Sequence, residues 1–289
     1  MEEPRELVEG RDTAPWPGLK RARALEHFGV LAARVAQWNA MRQFRAGLRI
    51  SEDRTCLELL QLDGPQPPVA EWGLVFGDGI HNLRAALDCL VWEFAHLNGE
   101  HPQHPRRVGF PVLTAARQWR EAAQRLASVP AELLERIRQV QPYQGNGDPE
   151  LHALTVLSRL DNADKHQRVI SAIASPENIQ LDLEAMGVQM GGPVEGVGAF
   201  FETALDLSAV APGEPFARLA FGLSIERDSR VEGTATIDVT PAVSVGTSLV
   251  PTPEVISMSV GIVDRLMNFL LTGQEPHPDH SDIAAEPEL

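Results

Sequence analysis

The sequence predicts an α+β protein: a helical bundle around a central two-faced helix, packed with a mostly antiparallel sheet from the second half of the chain. Apolar residues recur at the helical period in four segments, residues 19–44, 78–98, 149–166 and 253–271. From residue 168 to 250 the pattern instead alternates, with runs separated by Gly, Pro and Asp turns. The 43% hydrophobic content is enough for a sizeable core.

The segment 78–98 is predicted to be the central helix. Asp78 or Gly79 can begin it, because Asp accepts hydrogen bonds from first-turn N–H groups, and Gly99 can end it in the left-handed conformation. One face is ordinary core, formed by Ile80, Leu83, Leu87, Leu90, Val91 and Phe94. The opposite face carries Asp78, His81, Asn82, Arg84, Ala85, Asp88, Cys89, Trp92 and His96.

That second face is unlike a solvated one, which would be rich in Lys, Glu and Gln. We therefore expect the helix to be covered on both faces and its charges to be paired, because an unpaired buried charge is costly. Two interpretations stand. The polar residues form either an ion-pair network that fixes helix packing or a site lined by His81, Asn82, Arg84 and Asp88.

The helix predicted at 149–166 has Asp148 as its N-cap and Pro149 in its first position. Asp161 and Lys165 continue its apolar stripe. If this helix packs against the central one, Arg84 and Asp88 should meet these charges in a dry space, where perturbed pKa values and active sites occur. The candidate site comprises His81, Asn82, Arg84, Asp88, Asp161, Asp164, Lys165 and His166, whose histidines could act as acid or base near neutral pH.

The remaining elements follow from the same patterns. The helix at 19–44 has a packing stripe of Leu25, Phe28, Ala32, Val35 and Trp38 or Met41. A β-hairpin is predicted at 46–61, an extended segment at 108–113, a helix at about 115–126 and a short helix from Pro130. A single sheet of about five or six strands is predicted from runs at 169–174, 178–183, 187–190, 199–204, 216–226 and 231–250.

These elements predict four parts of the chain. Residues 1–18 form a flexible lead-in, and 19–167 a mainly helical part with a small β-hairpin. Residues 168–272 form a β-rich part closed by a C-terminal helix, followed by a disordered acidic tail at 273–289.

Composition and the absence of certain motifs limit the functions that the sequence can support. The net charge of −15 disfavours nucleic acid and anionic membranes as partners. No apolar run follows Met1 and none approaches the ~20 residues of a membrane span, so we expect a cytoplasmic protein with no membrane contact. Cys56 and Cys89 give neither a disulfide framework nor zinc spacing. Phosphate-loop, GxSxG and HExxH motifs are absent, and Arg84 and Lys165 would compete for the carboxylates, so we predict no cofactor and no metal.

Four motifs resemble a family of actinobacterial-type bacterial proteins: HNLRAALD (81–88) with a following VW, FPV (110–112), QPY (141–143) and LDNADKHQR (160–168). This resemblance covers about the first 170 residues and implies no activity. A looser similarity is to the HEPN superfamily of helical bundles, many of which are metal-independent ribonucleases. Their active helix carries an Arg followed, after four to six residues, by a His. Arg84 begins such a motif here, but Cys89 stands where the His would be.

Three hypotheses follow. The chain is a protein whose charged inter-helix cluster is structural or binds a small polar ligand, a HEPN-like ribonuclease or its inactive relative, or a hydrolase using His81, Asp88, Asp161 and His166. The apolar final helix and the stripe on the first helix also suggest a homodimer.

Overall fold

The computed structural model describes residues 16–42, 44–97, 99, 101–164, 170–174, 200–203, 207, 210–220, 225–227 and 234–274. Within these ranges the helices are α1 (Trp16–Ala40), α2 (Val69–Ala95), α3 (Trp119–Arg125), α4 (Ala131–Gln139), α5 (Ala153–Asp164) and α6 (Thr252–Thr272). The strands are β1 (Arg45–Ile50), β2 (Cys56–Gln61), β3 (Ile170–Ala174), β4 (Phe200–Thr203), β5 (Pro215–Ala220), β6 (Thr234–Thr236), β7 (Val239–Val245) and β8 (Ser248–Pro251). The predicted α+β class is confirmed.

The strands form two sheets where the sequence predicted one. The larger has the order β4-β5-β2-β1-β6 and the smaller β3-β7-β8, and every pairing among the described strands is antiparallel. The hairpin β1–β2 is thus the middle of the larger sheet. The register is supported by Glu58, which lies 2.7 Å from Arg49 on one neighbouring strand and 3.5 Å from Arg218 on the other.

The core is organised around α2, as predicted. Ile80, Leu83 and Leu87 are fully buried, and α1 packs along the helix with Trp38 edge-on to Trp72 at a centroid distance of 6.1 Å. Gly79 brings the two helices close together, because a Cβ built there would lie 2.3 Å from the Phe28 ring. The polar face of α2 is only partly covered, which is less than the sequence predicted.

The start of α2 was predicted wrongly. The helix begins at Val69, nine residues before Asp78, with Pro68 as its cap. The apolar face continues upstream through the buried side chains of Trp72, Val75 and Phe76. Tertiary packing overrides the low helix propensity of glycine here. Gly99 does adopt the predicted left-handed conformation, with φ +70°.

Two further helices differ from their predictions. The buried face of α1 differs from the predicted one, since Leu25, Ala32 and Met41 of the predicted stripe are exposed. Its buried residues are Pro17, Ala24, Phe28, Leu31 and Trp38. The helix expected at 149 begins instead at Ala153, since Asp148 caps a preceding turn through the backbone N–H of Glu150 at 2.9 Å.

The helix α6 closes the bundle, and Arg21 of α1 forms an ion pair with its Asp264. Among the described residues it is the one helix that meets a length and composition test for a membrane span, with a mean hydropathy of 1.4 over 18 residues. The core helix of a soluble protein passes the same test, so the result is weak evidence of a span. Its residues Val255, Val263 and Leu270 are buried in the core.

Several predicted segments lie outside the described residues. They are the lead-in before Trp16, the strands at 178–183 and 187–190, and the tail beyond residue 274. The division into a helical and a β-rich part stays a prediction, although strands from both parts share the larger sheet.

Candidate functional site

The helices α2 and α5 pack against each other, and two residues of the candidate site meet between them. Nδ1 of His81 lies 2.8 Å from Oδ1 of Asp161. The aspartate side chain is 11% exposed and the histidine 55% exposed, so a buried carboxylate orients a half-exposed imidazole. Such a pair can hold a histidine in one tautomer, as a general base requires, or can simply link the two helices.

The other predicted residues of α2 turn away from Asp161. Asn82 donates to the carbonyl of Asp78 at 2.7 Å and accepts from Lys20 at 3.4 Å, so it faces α1. Arg84 donates to the carbonyl of Phe110 and lies 2.9 Å from Oδ1 of Asp88. Contrary to the prediction, Arg84 and Asp88 do not meet Asp161. The structure divides the cluster into the pair His81–Asp161 and the pair Arg84–Asp88, with Asn82 apart from both.

The other three residues of the candidate site have side chains that the structure does not describe, so their distances to these pairs are not known. Asp164 is the last residue of α5, and its side chain lies outside the description. Lys165 and His166 also lie outside the described residues. In the part of the chain that the structure describes, no group of three or more His, Cys, Asp or Glu side chains is placed to hold a metal ion.

The second part of the divided cluster is built on the irregular segment 108–111. Oδ1 of Asp88 accepts from the backbone N–H of Phe110 at 2.8 Å, while Arg84 bonds the carbonyl of the same residue. A Cβ at Gly109 would lie 3.0 Å from the Asp88 carboxylate, so a small residue suits this approach. The Arg84–Asp88 pair thereby clamps both backbone polar groups of one residue, Phe110, and is itself fixed by them.

A small pocket of about 160 Å³ opens beside this clamp. Three arginines line it: Arg84 from α2, Arg107 from the loop before Gly109, and Arg125 at the end of α3. Arg107 and Arg125 are exposed, whereas the Arg84 side chain is 14% exposed. Nη1 of Arg84 is buried and, despite its ion-pair distance to Asp88, makes no well-directed hydrogen bond.

Sequence reasoning did not select Arg107 or Arg125. The signal lay in the local charge: residues 101–130 hold five arginines and one glutamate, a net charge of +4 in a chain of −15. No described acidic side chain forms an ion pair with Arg107 or Arg125. Their charges are therefore available to an anion from solution.

The cysteine that replaces the expected histidine is poorly suited to acid–base chemistry. Burial raises the pKa of the Cys89 thiol, with smaller contributions from neighbouring charges, of which Lys20 opposes the shift. The thiol therefore stays protonated at neutral pH and cannot accept a proton. Its position in α2 favours a packing role.

Comparison with known proteins finds no relative of this chain. The chain matches no protein-family model, no curated protein and no solved structure. Neither resemblance drawn from the motifs is supported by these comparisons, and both stay predictions.

Proposed function

We propose that this protein binds a small polar ligand through an anionic group, held in the pocket formed by Arg84, Arg107 and Arg125. The observation that supports this proposal is that three arginines line one pocket of about 160 Å³ in an otherwise acidic chain. This refines the small polar ligand predicted from the sequence: the ligand carries phosphate, sulfate or carboxylate oxygens.

The chemistry of arginine favours such a group. Guanidinium presents rigid N–H donors that match the oxygens of phosphate and carboxylate two at a time, and it stays charged at all relevant pH values. Asp88 neutralises one of the three charges, which leaves an excess of two positive charges at the pocket. The protein's net negative charge repels anions elsewhere, so binding should be confined to this basic surface.

The contacts at Phe110 hold the Arg84 side chain in place before an anion binds. Arg84 is held by a backbone carbonyl on one side and by Asp88 on the other, so little side-chain entropy remains to be lost on binding. The exposed Arg107 and Arg125 can then close over the anion from the loop and from α3.

The test is isothermal titration calorimetry of the full chain with inorganic phosphate, sulfate and citrate at low ionic strength. A charge-assisted hydrogen bond contributes about 1.5–3 kcal/mol, so Arg107→Gln and Arg125→Gln should each weaken binding by about tenfold or more. Arg84 is left intact because its removal would also release the peptide at Phe110.

The matched control is Arg117→Gln, an exposed arginine of the same basic segment that does not line the pocket. It should leave the affinity within about twofold, a difference well under 1.4 kcal/mol. The proposal is wrong if none of the three anions binds the parent chain, or if Arg117→Gln weakens binding as much as Arg107→Gln does.

A further inference from the structure

A groove of about 970 Å³ lies between α1, the start of β7 and the first turns of α6. This volume is at the upper end of the roughly 300–1,000 Å³ found for small-molecule sites. The wall formed by α1 is lined by the exposed alanines Ala32, Ala36 and Ala40, four residues apart. The facing wall is formed by Thr240, Pro241, Thr252, Pro253, Ile256 and Ser257.

The groove is held open by a specific contact at one end. The side chain of Asn39 donates to the carbonyl of Val239 at 3.1 Å and accepts from its N–H at 3.0 Å, which fixes α1 against β7. The alanine side chains are too short to fill the space beside them. The groove is therefore preformed and open to a ligand.

Its chemistry changes along its length. From Phe28 to Ala40 the groove follows thirteen residues of α1, about 18 Å at 1.5 Å per residue, and it ends at Arg42 just beyond the helix. The floor and walls are largely apolar, and the charged lining residues Arg42 and Asp238 lie near the contact of Asn39 with Val239. Asp238 takes part in another interaction, whereas no hydrogen bond or ion pair joins the Arg42 guanidinium to a described residue.

We propose that this groove binds the hydrocarbon chain of an acyl compound, whose carboxylate or carbonyl oxygens accept hydrogen bonds from Arg42. An elongated apolar body matches the long alanine-lined groove, and the acceptor oxygens match the Arg42 guanidinium at its polar end, to which no side chain in the described ranges is bonded. This site is distinct from the pocket at Arg107 and Arg125, with which it shares no lining residue.

A second copy of the chain is a poorer occupant. In a two-fold symmetric dimer the same surface patch meets itself. Two concave grooves facing each other would enclose unfilled space, and the alanine wall offers no ridge to fill it. A slender chain fills such a groove without that difficulty.

The experiment measures binding of decanoic acid and of decylamine to the full chain by calorimetry. In a chain that also carries Arg107→Gln and Arg125→Gln, which remove the other proposed carboxylate site, decanoic acid should bind with one molecule per chain and more tightly than decylamine, whose ammonium group meets Arg42. Ala36→Trp fills the groove and should weaken decanoic acid binding by more than about tenfold, while Arg42→Gln should weaken it by about tenfold through loss of a charge-assisted hydrogen bond.

Ala33→Trp is the matched control, because Ala33 is exposed on the same helix and does not line the groove. It should bind decanoic acid like the parent, and thermal melting of both tryptophan variants checks that they fold. Equal affinities for Ala36→Trp and Ala33→Trp, tighter binding of decylamine, or no binding of decanoic acid would each overturn the proposal. So would a concentration-dependent dimer of the parent that Ala36→Trp converts to monomer, since a second copy would then occupy the groove.

Discussion

Gly79 is a residue at which the two longest described helices, α1 and α2, pack closely together. A Cβ added there would lie 2.3 Å from the Phe28 ring, which is itself buried against α2. Phe28 cannot swing into solvent without uncovering the core, so Gly79→Ala should force the helices apart. We expect the variant to lose about 1–3 kcal/mol of unfolding free energy, the usual cost of overpacking, measured by urea denaturation.

The control for that measurement is Gly73→Ala on the same helix. A Cβ at Gly73 meets nothing within 4 Å. Since alanine has a higher helix propensity than glycine, Gly73→Ala should be neutral or stabilise the chain by up to about 1 kcal/mol. If both variants lose the same stability, close packing at Gly79 is not what requires a glycine there.

The candidate site was only partly predictable at the scale of residues. The charged stripes on two apolar helices predicted that Arg84 and Asp88 would meet Asp161, whereas the residue that meets this carboxylate is His81. The partner of Arg84 and Asp88 could not be predicted, because it is the backbone of Phe110 in an irregular segment. Sequence patterns identify side chains that need partners, and they carry little information about which peptide group will supply one.

At the scale of elements, α5 is capped by an unusual residue. Nδ1 of His152 accepts from the backbone N–H of Leu154 at 3.2 Å, the bond that an N-cap side chain makes. Burial lowers the pKa of His152, and the nearby Arg265 lowers it further. The folded chain therefore keeps this imidazole neutral, which also preserves the acceptor at Nδ1.

This arrangement predicts a pH-dependent stability. Below the ordinary histidine pKa of about 6.5 the unfolded chain binds a proton that the folded chain does not. The unfolding free energy should therefore fall as the pH drops from about 6.5 toward the lowered folded-state pKa. His152→Asn keeps a capping oxygen and cannot titrate, so its loss of stability between about pH 7.5 and about pH 5 should be smaller than that of the parent.

Urea denaturation at several pH values measures this difference. The comparison variant is His104→Asn, at an exposed histidine outside any α-helix. It should lose as much stability on acidification as the parent. A parent and His152→Asn that lose stability equally would show that the buried cap does not set the pH dependence.

The sequence predicted the bounds of some helices better than those of others, for physical reasons. The last helix was predicted at 253–271 and found at Thr252–Thr272, because a proline begins it, Gly273 ends it with φ +71°, and its apolar positions are dense. The central helix was predicted nine residues too short because Asp78 resembles an N-cap and Gly79 a helix start. Gly79 instead serves close packing against Phe28 inside the helix, which a single sequence does not reveal.

At the scale of the whole molecule, the chain joins its two halves more closely than a boundary near residue 167 suggests. Strands β1 and β2 pair with β6 and β5, and the Phe44 ring lies edge-on to Phe216 at a centroid distance of 5.5 Å. The contact of Asn39 with Val239 and the packing of α6 on the bundle add two further connections. The helical part therefore shares strand pairing and core contacts with residues that follow it.

A fragment of residues 16–167 should accordingly fail to fold on its own. It would expose the edges of the hairpin and the faces of α2 and α5 that α6 covers, so we expect no cooperative thermal transition by circular dichroism and strong binding of a hydrophobic dye. A chain of residues 16–274, which contains every described element, should melt cooperatively like the full protein. A sharp transition in the shorter fragment would instead show that the helical part is an autonomous domain, with the strand pairing across the boundary an interface between two units that can each fold alone.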